Sequence, residues 1–330
     1  MDVVALTRRL VDIESVTGRE GPAGEFLLQH LRGNGWEAAP IPVDPNRFNV
    51  FAHPKTSLPT IVFCTHMDTV PPFIASSEDG ENVYGRGSCD AKGIAAAQIV
   101  AAERLRDQGI PVGLLLTVGE ERDSIGAKTA NQHAPGSKFL IDGEPTDNKL
   151  AIATKGVLNV RLTSRGKMAH SAYPEQGESA IEKLLDALAK LRAMDLPSVA
   201  GIGQCTLNIG TISGGRAPNV VADEAQADLL YRTVTSSDGL KQHVRESVEP
   251  LAAVEFGADS PFMKLRTVEG MPTMVASFST DIPHLRNWGE PLLLGPGSIH
   301  VAHTGREFIA KKDLHQAVDL YCAVAHKLLA

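Results

Sequence analysis

Three short apolar runs in this chain end in ionisable residues, and that juxtaposition limits the folds open to it. Ile61-Val62-Phe63 leads into His66 and Asp68. Leu114-Leu115-Leu116-Thr117-Val118 leads into Glu120 and Glu121, and Phe139-Leu140-Ile141 leads into Asp142 and Glu144. Runs this short and continuously apolar read as strands buried on both faces. Between them lie helical patterns: a stretch of small residues from Ile94 to Leu105, then a second helix from about Ser124 to Gln132. Alternating strands and helices predict an α/β domain, with a mixed, mostly parallel sheet sandwiched by helices. Ligands of such sheets bind beyond the strand ends, where these polar residues sit.

The rest of the chain divides around that pattern. Two helices, one capped by Asp2 and one from about Pro22 to Arg32, precede strands near 36–42 and 47–53. Residues 71–83 read as a loop, followed by Tyr84-Gly85-Arg86-Gly87-Ser88-Cys89-Asp90-Ala91-Lys92-Gly93. From Lys155-Gly156 the order changes to strand 156–164, helix 177–193, strands 204–212 and 220–234, helix 238–250 and a strand near 252–257. The long strand alternates apolar and polar residues, which predicts an α+β unit exposed on one sheet face. After Pro261 the α/β pattern returns and closes with a helix from Lys311 to Leu329. The expected organisation is therefore 1–154 and 261–330 as one catalytic domain, with 155–260 inserted into it.

Composition narrows the partners. The net charge of −7 and the absence of a basic stripe argue against nucleic acid. No apolar run approaches membrane-spanning length, and the N-terminal stretch reaches Arg8-Arg9 without a signal-peptide layout. Cys64, Cys89, Cys205 and Cys322 are scattered, without metal or disulfide spacing, which fits a reduced, cytoplasmic chain.

Collected together, His66, Asp68, Asp90, Glu120, Glu121, Glu144 and His303 all lie just past apolar strands or at glycine-rich turns. If they converge, five ionised carboxylates repel one another by several kcal/mol per close pair. Two divalent cations remove that repulsion. Two imidazoles with several carboxylates suit zinc, and also cobalt or manganese. Adjacent Glu120 and Glu121 point different ways, so one can bind metal while the other acts as general base. His66 beside a carboxylate is the pattern of a metal ligand whose tautomer is set by a partner, or of a polar strand end. Other motifs fit poorly. The third glycine of a dinucleotide loop would fall at Asp90, and no base is specified for Cys64 or Cys89 as a nucleophile.

The ordered set resembles the di-zinc superfamily of aminoacylases, acetylornithine deacetylases, succinyl-diaminopimelate desuccinylases and glutamate carboxypeptidases. Five stretches carry the likeness: Thr65-His66-Met67-Asp68-Thr69-Val70, Gly85 to Gly93, Gly119-Glu120-Glu121, Gly143-Glu144-Pro145-Thr146, and Gly295-Pro296-Gly297-Ser298 with Ala302-His303. The resemblance implies that His66 and Glu144 hold one metal, that Glu121 and His303 hold the other, and that Asp90 bridges them. It makes Asp68 the partner that orients His66, and Glu120 the general base for the attacking water. Asp142 and His300 are the weaker rivals of Glu144 and His303. The inserted unit resembles the family's ferredoxin-like lid, which also forms a homodimer. His170, in Ala169-His170-Ser171, would stabilise the oxyanion in a neighbouring site. Asn219, Arg232, Gly297 and Ser298 would hold substrate. The chain is shorter than the family pattern around 71–83 and between Ser260 and Met274, which bears on specificity.

The expected activity is hydrolysis of an amide in an N-acyl-amino acid, with a lean toward acetylornithine and acetyl-lysine deacetylases and, by analogy, amino-acid biosynthesis. A di- or tripeptidase or carboxypeptidase is the alternative on the same scaffold. A non-catalytic dimeric binding protein would be expected to lack Glu120 or a ligand, and none is missing.

Overall fold

The apolar runs become strands because both of their faces find cover. In the strand Ile61–His66, Ile61 and Phe63 pack into one apolar cluster, while Val62 and Cys64 pack into another on the opposite face. A half-exposed strand could not tolerate such a run; a sheet covered by helices on both sides requires it. The computed structural model describes residues 1–330 and divides into two units. One comprises Met1–Ile152, Leu265–Met274 and Thr280–Ala330; the other comprises Ala153–Lys264 and Val275–Ser279.

The first unit is built on a six-stranded sheet in the order Trp36–Asp44, Arg47–Pro54, Val112–Thr117, Ile61–His66, Phe139–Asp142, Glu290–Leu293. The last four run parallel, and Arg47–Pro54 joins them antiparallel. Helices Val3–Val11, Gly21–Gly33, Lys92–Asp107 and Lys311–Leu329 contribute to the larger core, and Ala127, Ala130, Leu285 and Trp288 cover the other face. Asp2 caps the first helix through its carboxylate, which accepts from the Val4 N–H at 2.8 Å. The helix Lys92–Asp107 uses small residues to lie close to its neighbours. A Cβ on Gly93 would stand 2.2 Å from the Ser88 carbonyl oxygen.

The second unit contains a four-stranded antiparallel sheet in the order Thr206–Gly214, Glu224–Thr233, Gly156–Arg165, Ala253–Ser260. With helices Ala180–Ala193 and Ser237–Val248, the chain order is βαββαβ, the ferredoxin-like arrangement. Leu158, Val160 and Leu162 point to the helices, and the intervening Asn159 and Arg161 are exposed. The period-two pattern in Glu224–Thr233 has the same cause.

Three local expectations change. Residues 71–83 are not all loop: Ser77–Glu78 and Asn82–Tyr84 pair with each other, and Asn82–Tyr84 also pairs with Phe308–Ala310. Asp79 holds the turn by accepting from the Glu81 and Asn82 amides, while the distant strand completes it. The helix begun near Ser124 spans only Ile125–Ala130 before a 3-10 turn, Asn131–His133. The long strand starts at Glu224 rather than Val220, because the backbone at 219–221 bonds instead to residues 169–171. No helix is long and apolar enough to cross a membrane.

Gly93→Ala forces a methyl group into the Ser88 backbone, and overpacking of this kind typically destabilises by about 1–3 kcal/mol. The expected result is a lower urea midpoint on the metal-free protein; an unchanged midpoint would show that the 85–91 loop yields freely.

Candidate metal centre

Each acidic or imidazole residue reaches the site from the carboxyl end of a strand or from an adjoining turn. His66 is the last residue of Ile61–His66 and is buried. Glu120 and Glu121 follow Val112–Thr117 across Gly119, and Glu144 follows Phe139–Asp142 across Gly143. A side chain at Gly143 would displace its neighbours, since a Cβ there would lie 2.5 Å from both Gln98 and Ile94. Asp90 comes from the glycine-rich loop that opens Lys92–Asp107. His303 comes from a turn in which its own φ is +63°, a left-handed conformation that disfavours a side chain by about 1–2 kcal/mol.

These residues form two donor sets that share one carboxylate. His66, Asp90 and Glu144 can each offer an atom within 4.8 Å of the others, and so can Asp90, Glu121 and His303. His66 Nε2 lies 3.0 Å from Asp90 Oδ1, and His303 Nε2 lies 3.3 Å from Asp90 Oδ2. His303 Nε2 is also 3.0 Å from Glu121 Oε1, and His66 Nε2 is 4.0 Å from Glu144 Oε1. Asp142 and His300 belong to neither set. Two imidazoles and three carboxylates, with one carboxylate facing both imidazoles through separate oxygens, are a donor set suited to a pair of divalent cations.

Asp68 has more work than orienting an imidazole. Its backbone carbonyl is 3.0 Å from His66 Nδ1, while its carboxylate is 3.5 Å away. The carboxylate accepts the Glu120 and Glu121 amides at 3.1 and 3.3 Å and the Thr17 hydroxyl at 2.8 Å. One side chain thereby anchors the turn that carries both glutamates. With Nδ1–H donated to the carbonyl, Nε2 is left as the donor atom facing Asp90.

The electrostatics follow from crowding. Burial opposes a charge on His66, but hydrogen bonds to Asp68 and Asp90 outweigh it and raise its pKa well above the usual range. Hydrogen bonds to Asp90 and Glu121 lift His303 to about 10. Burial would raise Asp90, yet its bonds to His303 and His66 hold it below the ordinary carboxylate range. Burial, joined by neighbouring acids, pushes Glu120 and Glu144 well upward. Without metal, then, protons on the imidazoles and glutamates balance part of the charge.

Gly297 and Ser298 lie in a loop packed against residues 144–147. The Gly297 carbonyl accepts the Asp147 amide at 2.7 Å, and the Ser298 carbonyl faces the Cys89 thiol at 3.5 Å. In the second unit, His170 is exposed, and Ser171 donates its amide to the Asn219 carbonyl at 3.0 Å, so these two expected substrate contacts neighbour one another. Arg232 is half-buried, and burial lowers its pKa with no carboxylate partner to offset the effect. Nothing local in the sequence marks Glu307, whose partners lie more than two hundred residues earlier, or Asp281, whose carboxylate accepts from Thr117 at 2.9 Å. Arg86, inside the glycine-rich motif, is the buried cation that Glu307 pairs with.

Residues 152–254 match a family model described as a peptidase dimerisation domain. A peptidase M20 domain-containing protein of Schizosaccharomyces pombe is 37% identical over 336 residues, covering 97% of this chain and 83% of that protein. A probable carboxypeptidase of Paracoccidioides brasiliensis is also 37% identical, covering 97% of this chain and 84% of that protein. Among solved structures, the aminopeptidase PepT of Bacillus cereus superposes with a TM-score of 0.85 at 23% identity, over 100% of this chain and 98% of that one. A dinuclear metal-binding peptidase of the M20 family from Bacillus subtilis gives 0.72 at 16% identity, over 98% of each chain.

With both pKa values raised, His66 and His303 would have to give up protons to bind a cation, so metal uptake is expected to release protons. Both pKa values are raised, so the competition is strongest at low pH. Apparent Zn²⁺ affinity is expected to climb steadily from about pH 6 to about pH 9. Calorimetry in buffers of different ionisation enthalpy checks this; a pH-independent affinity without proton release would contradict it.

Proposed function

This chain belongs to the M20 peptidase family and is a hydrolase of peptide or amide bonds, and from that premise we propose that it is a two-cation metallopeptidase releasing an amino acid from a short peptide with a free carboxylate. The observation that carries the reading is Asp90, shared between two histidine-containing donor sets beside the Glu120–Glu121 turn. His66 and Glu144 would hold one cation, Glu121 and His303 the other, with Asp90 common to both. Zinc suits the donors best, with cobalt and manganese as substitutes. When bound, the cations supply Lewis acidity and neutralise the clustered acids.

The chain's own groups would do the rest. Glu120 takes a proton from the attacking water and delivers it to the leaving amine. Its burial and its acidic neighbours raise its affinity for that proton, which suits a group that must accept it and give it back. Asp68 keeps Glu120 and Glu121 in place through their amides. Arg232, half-buried, would grip the substrate carboxylate. Asn219 would position the substrate, and His170 would meet the developing oxyanion in the neighbouring site of a homodimer. For Gly297 and Ser298 the contribution would be the shape of the loop beside Glu144.

The carboxypeptidase named among the relatives favours a peptide. An N-acyl-amino acid, as in the acetylornithine and acetyl-lysine deacetylases, is the second reading; Gly143-Glu144-Pro145-Thr146, Lys155-Gly156 and Gly295 to Ile299 lean that way. A panel of di- and tripeptides, acyl-ornithine, acyl-lysine and succinyl-diaminopimelate separates them, because the peptides present an amino-acyl group, and the others a simple acyl group, at the scissile amide. A binding protein without catalysis is disfavoured by the presence of Glu120 beside every expected ligand. The four free thiols fit a cytoplasmic, reducing compartment.

A homodimer through the second unit completes the reading. The edge strand Thr206–Gly214 exposes Ile212, and the helix Ala180–Ala193 exposes Ile181 and Leu185. An open strand edge flanked by apolar side chains is a surface that invites pairing.

Two results are expected. Glu120→Gln should keep its metal by elemental analysis while kcat on the preferred substrate falls by about 10²–10⁴; wild-type turnover would remove Glu120 from the reaction. The double variant Leu185→Asp, Ile212→Asp should run as a monomer by light scattering with metal content unchanged; a persistent dimer would place the interface elsewhere.

A further inference from the structure

Glu307 is a fully buried carboxylate that the roles above do not use. One oxygen, Oε1, accepts three backbone amides: Gly87 at 2.9 Å, Cys89 at 3.1 Å and Asp90 at 3.0 Å. The other accepts from Arg86 Nη1 at 2.6 Å, and the Glu307 backbone carbonyl accepts the Gly85 amide at 3.1 Å. The loop that delivers Asp90 is thus wrapped around a single distant side chain.

This arrangement is not explained by charge balance at the site. Arg86 is as buried as Glu307, so the pair is close to neutral and does nothing for the repulsion among the ligands. What it supplies is geometry. Three amides converging on one oxygen suit a carboxylate, and an amide side chain would accept them more weakly or set its NH₂ against Arg86. Glu307 also follows His303 by one short turn, in which the Arg306 amide donates to Thr304 Oγ1, and Thr304 Oγ1 in turn donates to the Val301 carbonyl. Asp90 and His303 therefore reach the site from two segments joined at this carboxylate, whereas His66 and Glu144 sit at the ends of neighbouring parallel strands.

We infer that Glu307 is a positioning residue of the metal centre: it fixes the shared Asp90 against the His303 turn and so sets the affinity of the cation position formed by Asp90, Glu121 and His303. The inference rests on the two-cation reading above. Support from surrounding hydrogen bonds of this kind commonly changes metal affinity by about 10–100-fold.

The test is a Zn²⁺ titration of the metal-free full chain against a chromophoric chelator, with the visible spectrum of the Co²⁺-loaded protein as a second readout. The wild type should bind two equivalents. Glu307→Gln should keep the wild-type circular dichroism and bind one equivalent at least about ten-fold more weakly, with the other nearly unchanged. Its Co²⁺ spectrum should lose the contribution of the weakened position, and turnover should recover at higher cation concentration. Two unchanged affinities, or an equal loss at both positions, would overturn the inference. If Glu307→Gln does not fold without metal, Glu307→Asp, which keeps the charge opposite Arg86, is held to the same criteria. Failure of both to fold would assign Glu307 to the fold and not to the metal centre. A wild-type chain that takes up no cation would overturn the two-cation reading and this inference together, a result distinct from one confined to the variants.

Discussion

Mutual repulsion among buried acids is the constraint on which the rest of this structure turns. Asp68, Asp90 and Glu144, all buried, meet the half-buried Glu120 and Glu121 at one end of a sheet whose interior is otherwise apolar, where a charge without a partner is costly. The metal-free protein answers with protons: two imidazoles are held charged, and two glutamates are pushed toward their neutral forms. Two divalent cations would answer the same problem more completely. The two solutions compete, so metal loading and protonation are opposite sides of one equilibrium.

The sheet makes this crowding possible. Parallel strands end at one edge, and short connections then turn back into helices. His66, Glu144 and the Glu120–Glu121 turn inherit their positions from three adjacent strands, Ile61–His66, Phe139–Asp142 and Val112–Thr117. Rigid strands fix where those side chains start. The loops then need separate fastening, because nothing in a strand determines the path of a glycine-rich segment. Asp68 fastens the glutamate turn through two amides, and Glu307 fastens the Asp90 loop through three. In both cases a carboxylate outside the ligand set is committed to backbone, where its charge strengthens the hydrogen bonds.

The second unit follows a different logic. Its sheet is covered by helices on one face only, so its strands alternate and carry polar residues outward. Its edge strand and the neighbouring helix keep apolar residues exposed. The match to a dimerisation-domain model covers the same residues.

Much of this was legible from the chain alone. The buried strands announced themselves as short continuous apolar runs, and the polar residues after them marked one end of a sheet, because burial on two faces and a shared strand direction leave a local imprint. His66, Glu120, Glu121 and Glu144 could be read for the same reason, whereas Asp90 and His303 stood in glycine-rich motifs and rested on the family resemblance. The small strands at 77–84 could not, since their third partner is Phe308–Ala310. Nor could the hold of Glu307 on the Asp90 loop, or the use of the Asp68 carboxylate on the backbone of Glu120 and Glu121. Sequence determined which strands are buried on both faces and at which strand ends the acids emerge, because a side chain's face and period are local properties. Tertiary structure alone decided which oxygen meets which nitrogen. Arg86 and Glu307 are 221 residues apart, and Glu121 and His303 are 182 apart, so such contacts exist only once the loops have closed.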